Sequence, residues 1–287
     1  MNILLTGSTG FIGSYFLEKY SEKFAINTFS FQRDNFENLD LTGIETVLHL
    51  SALVHQMNDA SPEQYEKINV AQTINLAKKA KRDGVRHFVF MSTVKVYGEE
   101  ASLPYNENSP CAPQDDYGKS KYKAEQELKI LEDKKFIVSI IRTPIVYGNG
   151  VKANIKNLIN LVQKVSIIPL QNIYNKRSMV YIGNLCYLMA EVITQKQSGI
   201  FLASDDKPLN TTGLIELIAK NLNKNIFLVK IPFFETMLRL IKPSFYKRLY
   251  GSLEVDNTLT KEKLHFKNPY TTEEGFNNMI QGEVQCH

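Results

Sequence analysis

The stretch Thr6-Gly7-Ser8-Thr9-Gly10-Phe11-Ile12-Gly13 places three glycines at G-x-x-G-x-x-G, directly after the apolar run Asn2 to Thr6 and across the start of the first helical segment. Placement constrains the chain more than the pattern does. Glycines between a strand and a helix permit a tight turn, close packing of that helix on the strand, and approach of the backbone to a bound pyrophosphate. The helix start adds unpaired N–H groups that favour an anion. A strand-turn-helix of this kind opens a dinucleotide-binding sheet, with Gly7, Thr9, Gly10, Phe11, Ile12 and Gly13 as its phosphate-side contacts.

The rest of the chain keeps the rhythm that such an opening demands. Strand-like runs (Ala25 to Phe31, Thr46 to Ser51, His87 to Ser92, Phe136 to Arg142) alternate with helical stretches that begin near Ser61-Pro62 and Tyr117. This is the βαβ order of a parallel sheet with helices on both faces. The predicted fold is therefore α/β, a Rossmann-type doubly wound parallel sheet with a smaller C-terminal substrate lobe. Residues 1–148 form the dinucleotide-binding domain, to which 178–204 returns; 149–177 and 205–280 form the lobe, and 281–287 a tail.

Ligands of open α/β sheets bind at the carboxyl ends of the strands, which brings in Asp40-Leu41 and Leu50-Ser51-Ala52. The end of the second strand discriminates between nicotinamide cofactors, because a carboxylate there binds the ribose 2′-hydroxyl and repels a 2′-phosphate. Here it reads Ser30-Phe31-Gln32-Arg33, with no carboxylate at the strand end and an arginine able to pair with a phosphate. NADP(H) is favoured over NAD(H) on this reading, although Asp34 follows immediately and an arginine can also stack on adenine.

Tyr117 and Lys121 stand four residues apart, on one face of a helix. A buried tyrosine beside a fixed cation is expected to have a lowered pKa and can exchange a proton with a sugar hydroxyl or ketone while hydride moves to or from nicotinamide. Read alone, Y-x-x-x-K is a surface tyrosine and a solvated lysine. It is joined here by Thr93, whose hydroxyl arrives at the end of the His87 to Ser92 strand and can bond the reacting oxygen. The catalytic residues expected are Thr93, Tyr117 and Lys121.

With these motifs in order, the chain resembles the extended short-chain dehydrogenase/reductases, the NAD-dependent epimerase/dehydratase family. The resemblance also takes in His49-Leu50-Ser51-Ala52, Asn69-Val70 and Arg142-Thr143-Pro144-Ile145-Val146-Tyr147-Gly148. It implies cofactor contacts at Asn69 and Pro144, with Tyr117 and with Lys121 holding the ribose. Through Lys152-Ala153-Asn154, Asn175 to Tyr181 and Gly251 to Asp256 it narrows to members acting on UDP-N-acetylhexosamines. It then implies that Asn154 and Arg177 meet the diphosphate, Asp256 the uridine side and Thr93 the sugar. Gly183 is a departure, since relatives usually carry Asp there.

Dehydratases of the family carry carboxylates immediately after the active-site hydroxyl; Val94 and Lys95 stand there, so dehydration is disfavoured. The expected activity is reduction of a UDP-4-keto-6-deoxy-N-acetylhexosamine at C4, with 4-epimerisation of UDP-N-acetylglucosamine as the alternative and a non-catalytic dinucleotide-binding regulator as a reading of another class. Retention of all three catalytic residues argues for an enzyme. The dispersed net charge of +4 excludes a nucleic-acid surface. Three cysteines without metal-ligand spacing argue against a disulfide framework or a metal, and point to the cytoplasm. Relatives pair as homodimers through the helices after Ser61 and Tyr117. Ile226 to Tyr250 is too often interrupted by charge to span a membrane, but could lie on its surface.

Overall fold

The computed structural model describes residues 1–54, 60–100, 103–151 and 153–282. Lys152, Cys286 and the tail residues 283–287 lie outside the described residues.

Strands β1 (Asn2–Thr6), β2 (Ala25–Phe29), β3 (Thr46–His49), β4 (His87–Thr93) and β5 (Ile137–Thr143) carry the first half of the chain. Between them run α1 (Phe11–Tyr20), α2 (Pro62–Tyr65), a π-helical turn (Glu66–Ala71), α3 (Gln72–Arg82) and α4 (Asp116–Leu131). Then follow β6 (Ile145–Tyr147), α5 (Ala153–Lys164), β7 (Ile167–Ile168), β8 (Met179–Tyr181), α6 (Ile182–Gln195), β9 (Gly199–Leu202), α7 (Thr211–Asn221) and β10 (Phe227–Leu228). The chain closes with α8 (Phe234–Ile241), α9 (Pro243–Tyr250), α10 (Thr258–Leu264) and α11 (Thr272–Gln281).

Six strands form one sheet in the order β2-β1-β3-β4-β5-β9, with every pairing parallel. The order reverses direction between β1 and β3, the switch point at which ligands of such sheets bind. Alternation along β4 shows why its sequence is a continuous apolar run. Val89 and Met91 enter one core with α1 and α6, whereas Phe88 and Phe90 enter the other with α3 and α4. The fold is the Rossmann-type α/β fold expected.

β9 returns to the sheet edge, while two small pairs, β6-β8 and β7-β10, lie outside it. The later segments are laced together by isolated bridges: Arg177 to Leu209 and to Leu253, and Tyr105 to Val255. Gln281 is the last residue of α11, which begins with a Thr271–Glu274 capping box. Among the described residues no helix is long and apolar enough to cross a membrane.

Candidate active site

The glycine turn is built by exclusion. Gly7 has φ +74°, and a Cβ there would lie 2.8 Å from the Ser51 nitrogen. A Cβ on Gly13 would lie 2.2 Å from the Gly7 carbonyl oxygen, so α1 sits as close to the turn as only glycine permits. Gly10 is the N-cap of α1 and no side chain caps that helix, so the start of α1 keeps donors for an anion. The loop after β3 is fastened beside it, with the Leu50 nitrogen donating to the Thr6 carbonyl at 3.2 Å and the Ser51 nitrogen to Thr6 Oγ1 at 3.3 Å. Thr9, Phe11, Ile12, Leu50, Ser51 and Ala52 are thus gathered at one end of the sheet.

Asn69 is fully buried, and its amide is spent on structure. Oδ1 accepts from the Leu53 nitrogen at 2.8 Å, while Nδ2 donates to the Leu53 carbonyl at 2.9 Å and to Ser120 Oγ at 3.0 Å. The residue straps the loop after β3 to α4. Asp40 accepts from Thr42 through both its backbone and hydroxyl, which lowers its pKa, and the Leu41 side chain is buried in the core beside Ile44.

At the end of β2 the structure corrects the sequence expectation. Asp34 turns back and its Oδ2 accepts from the Ser30 nitrogen at 2.7 Å, in a turn where the Arg33 and Asp34 nitrogens both donate to the Ser30 carbonyl. A carboxylate therefore does stand at the strand end, carried there by a turn that spacing along the sequence does not reveal. Arg33 is exposed on the same turn.

Thr93 ends β4, and α4, which carries Tyr117 and Lys121, is bonded to that end of the strand through Lys121 to the Met91 carbonyl and through Asp115 to Lys95. Thr93 is buried; its hydroxyl approaches the Thr143 carbonyl at 3.5 Å and accepts from the Lys95 nitrogen at 3.3 Å. Tyr117 lies in the first turn of α4, which Asp115 caps by accepting from the Gly118 nitrogen at 2.7 Å. Lys95 pairs with the same Asp115, tying the end of β4 to the start of α4. Lys121 is buried, donates to the Met91 carbonyl at 2.9 Å and stands 4.5 Å from the Phe90 ring centroid.

The electrostatics differ from the expectation of a lowered tyrosine pKa. Loss of hydration among surrounding protein atoms pushes the Tyr117 phenol well above its ordinary range, and the Asp115 carboxylate and the Tyr65 phenol push it further the same way. Burial pushes the Lys121 ammonium down to about 7, against the opposing pull of Glu125. Burial and neighbouring acidic groups, not the cation on which the sequence argument relied, set the direction.

Two positioning groups escaped sequence reasoning. Glu125, one turn beyond Lys121, accepts from Arg142 Nε at 3.1 Å and Nη2 at 2.6 Å and from Ser92 Oγ at 2.5 Å, all buried. The ion pair locks α4 to β4 and β5 beneath Thr93. Arginine inside the apolar strand Ile137–Thr143 was the available signal, because a buried guanidinium requires a partner. The second group is Asp205. It accepts from Tyr147 Oη at 2.6 Å, Asn184 Nδ2 at 2.8 Å and the Tyr181 nitrogen at 3.0 Å, and so anchors the start of α6 where Gly183 supplies no carboxylate. A Cβ on Gly183 would sit 2.6 Å from the Tyr181 ring, so the position is filled by packing.

The expected substrate residues lie on the lobe side. Asn154 is exposed in the first turn of α5, and Pro144 separates β5 from β6. Arg177 is partly buried, with Nη1 donating to the Arg248 carbonyl at 2.8 Å, and burial lowers its pKa. Asp256 is exposed, and its carboxylate accepts from the Thr258 nitrogen at 3.0 Å and hydroxyl at 2.6 Å.

Residues 3–202 match the model of the NAD dependent epimerase/dehydratase family. The chain is 37% identical to a UDP-glucose 4-epimerase of Vibrio cholerae, over 100% of this chain and 96% of that one. It is 27% identical to the N-acetyl-alpha-D-glucosaminyl-diphospho-ditrans,octacis-undecaprenol 4-epimerase of Escherichia coli O157:H7, over 98% and 95% of the two chains. Its fold is similar to that of UDP-N-acetylglucosamine 4-epimerase from Bacillus cereus, with a TM-score of 0.78, 20% identity and 98% of both chains covered.

Proposed function

The chain belongs to the NAD dependent epimerase/dehydratase family, and on that premise we propose that it inverts C4 of a UDP-linked sugar, a hexose or N-acetylhexosamine, with NAD(H) as cofactor. The observation that carries this reading is the Asp34 carboxylate at the end of β2. With Oδ2 held by the Ser30 nitrogen, Oδ1 remains to accept from a ribose 2′-hydroxyl, and the negative charge opposes a 2′-phosphate. The case for a net 4-reductase drawing on NADPH rested on the lack of such a carboxylate. An epimerase oxidises and re-reduces the same carbon and regenerates its cofactor in each cycle, which suits retained NAD.

The glycine turn and the uncapped start of α1 fit a dinucleotide diphosphate, because glycine at 7 and 13 lets α1 and the loop after β3 pack against the turn while the N–H groups at the start of α1 remain for an anion. When bound there, the nicotinamide supplies a reversible hydride acceptor. Tyr117 takes the proton from the C4 hydroxyl as that carbon becomes a carbonyl and returns it to the same oxygen once the carbon is reduced from its other face, while Thr93 Oγ1 bonds that oxygen. Lys121 stands one helical turn on, where its ammonium is assigned to the cofactor ribose and to favouring the phenolate that Tyr117 must reach to act as the base. Asn154 and Arg177 are assigned to the diphosphate and Asp256 to the uridine side; Asn69, bonded to the Leu53 backbone, holds the loop that follows Leu50 to Ala52 beside the cofactor. On this reading residues 1–148 with 178–204 bind the cofactor, and the substrate lies between them and a lobe of 149–177 and 205–280.

One experiment separates the readings. UDP-N-acetylglucosamine and UDP-glucose are supplied with trace NAD and no reductant, and a 4-keto-6-deoxy UDP-sugar is supplied with NADPH. The expected outcome is a 4-epimer in the first tubes, with affinity for NAD falling about tenfold or more in Asp34→Ala, equivalent to about 1.4 kcal/mol. Stoichiometric NADPH oxidation with no epimer, or a wild-type preference for NADP(H), overturns the proposal.

A further inference from the structure

The segment from β10 through α9 exposes more apolar surface than its own packing requires. Phe227, Ile231, Phe233, Met237, Leu240, Ile241 and Phe245 are all exposed, Phe233 at 86% and Leu240 at 75%. On α8 the residues Phe233, Met237, Leu240 and Ile241 follow the i, i+4, i+7, i+8 spacing of one helical face. The inward side is served by Leu238, which is buried, and by Phe234, which packs on the core. α8 is therefore apolar over nearly half its circumference, and only the narrower part of that arc is covered. Phe233 has φ +62°, a left-handed conformation that side-chain-bearing residues rarely adopt, and it holds a phenyl ring out in water.

The segment's own charges have one dominant sign, and Glu100 from outside it stands 4.0 Å from Lys247. Between residues 226 and 250 stand Lys230, Arg239, Lys242, Lys247 and Arg248 against the single acid Glu235, and the first four of the basic residues are exposed. Exposed aromatic and aliphatic side chains within a cationic rim complement a surface that is apolar beneath and anionic at its boundary. A folded protein partner would need a matching acidic groove, whereas an anionic bilayer meets both demands without shape. We propose that α8 and α9 dock this protein on the surface of an anionic phospholipid membrane, with Phe233, Leu240 and Ile241 entering the headgroup region and the basic residues at the phosphates. α9 carries the Arg248 carbonyl that accepts from Arg177, so the docked face lies one hydrogen bond from the side chain assigned to the substrate diphosphate. The proposal rests on this surface and stands or falls independently of the reading of the active site.

The test is co-sedimentation of the full chain with vesicles of phosphatidylcholine alone and of phosphatidylcholine with phosphatidylglycerol, at low and high salt. The expected result is partition onto the anionic vesicles, weakened by salt. It should fall about tenfold or more in Phe233→Ser/Leu240→Ser and also fall in Lys230→Glu/Lys242→Glu. These exposed substitutions leave the melting temperature and the turnover of soluble UDP-sugar at wild-type values. Absence of partition, equal partition onto neutral vesicles, or variants that sediment like wild type overturns the proposal. So does a wild-type chain that ignores vesicles but self-associates in light scattering and becomes monomeric in Phe233→Ser/Leu240→Ser, which would assign the face to a second copy.

Discussion

Two histidines and a tyrosine show at the residue scale how burial governs chemistry in this fold. His49 bridges Thr6 Oγ1 at 2.7 Å and Thr73 Oγ1 at 2.9 Å, and burial, followed by the Lys121 charge, pushes it down to about 3. His87 contacts Ser139 Oγ at 2.7 Å and is pushed down to about 4, by burial and then by Lys196. Both rings are neutral in the folded chain at pH values where an unfolded histidine, with a pKa near 6.5, takes up a proton. The unfolded state then binds more protons, so stability falls as pH drops below about 6.5, by up to about 1.4 kcal/mol per pH unit for each ring. The loss attributable to His87 ends near pH 4 and that of His49 near pH 3. Urea unfolding across this range should show the slope, and His87→Gln should reduce it by one proton. At the site itself, Tyr117→Phe is expected to keep fold and NAD affinity but lower epimerisation at least about 100-fold, with a smaller loss in Thr93→Val. Near wild-type turnover in Tyr117→Phe would remove Tyr117 from its role.

At the scale of elements, the position of α4 decides where Tyr117 and Lys121 stand. Among its attachments are the Asp115 cap with Lys95, the Asn69–Ser120 bond, the Lys121–Met91 bond and the buried Glu125–Arg142 pair. Removing one partner of a buried pair leaves an uncompensated charge and costs about 3 to 5 kcal/mol, whereas replacing both with apolar groups of similar volume is far less harmful. Glu125→Ala is accordingly expected to lower the unfolding free energy by about 3 kcal/mol or more, and Glu125→Leu/Arg142→Met to recover much of it. Chemical denaturation of both variants checks this, and equal destabilisation would mean that the pair acts through packing instead of charge compensation.

On the scale of the whole molecule, α3 packs beside α4, and α4 presents Lys119, Lys123, Gln126 and Ile130 along its exposed face. Ile130 is 81% exposed. We expect a homodimer built from these helices, measured by light scattering at micromolar concentration, and its dissociation in Ile130→Glu. A wild-type monomer under those conditions would reject the arrangement.

Much of the fold was legible because its causes are local. Gly7 and Gly13 announce a turn and a close approach, and the apolar run of β4 announces a strand buried on both faces, since a few neighbouring residues determine backbone sterics and side-chain period. The spacing of Tyr117 and Lys121 likewise needs only a helix. The state of those groups was not legible, because hydration and Coulomb interactions depend on atoms delivered from elsewhere in the chain. Burial reversed the expected direction of the Tyr117 shift, Glu125 and Arg142 met across seventeen residues, and Asp205 took the anchoring role that Gly183 lacks. Asp34 lies within four residues of Ser30, yet only the folded turn carries its carboxylate to the strand end, where it underlies the proposed choice of NAD(H).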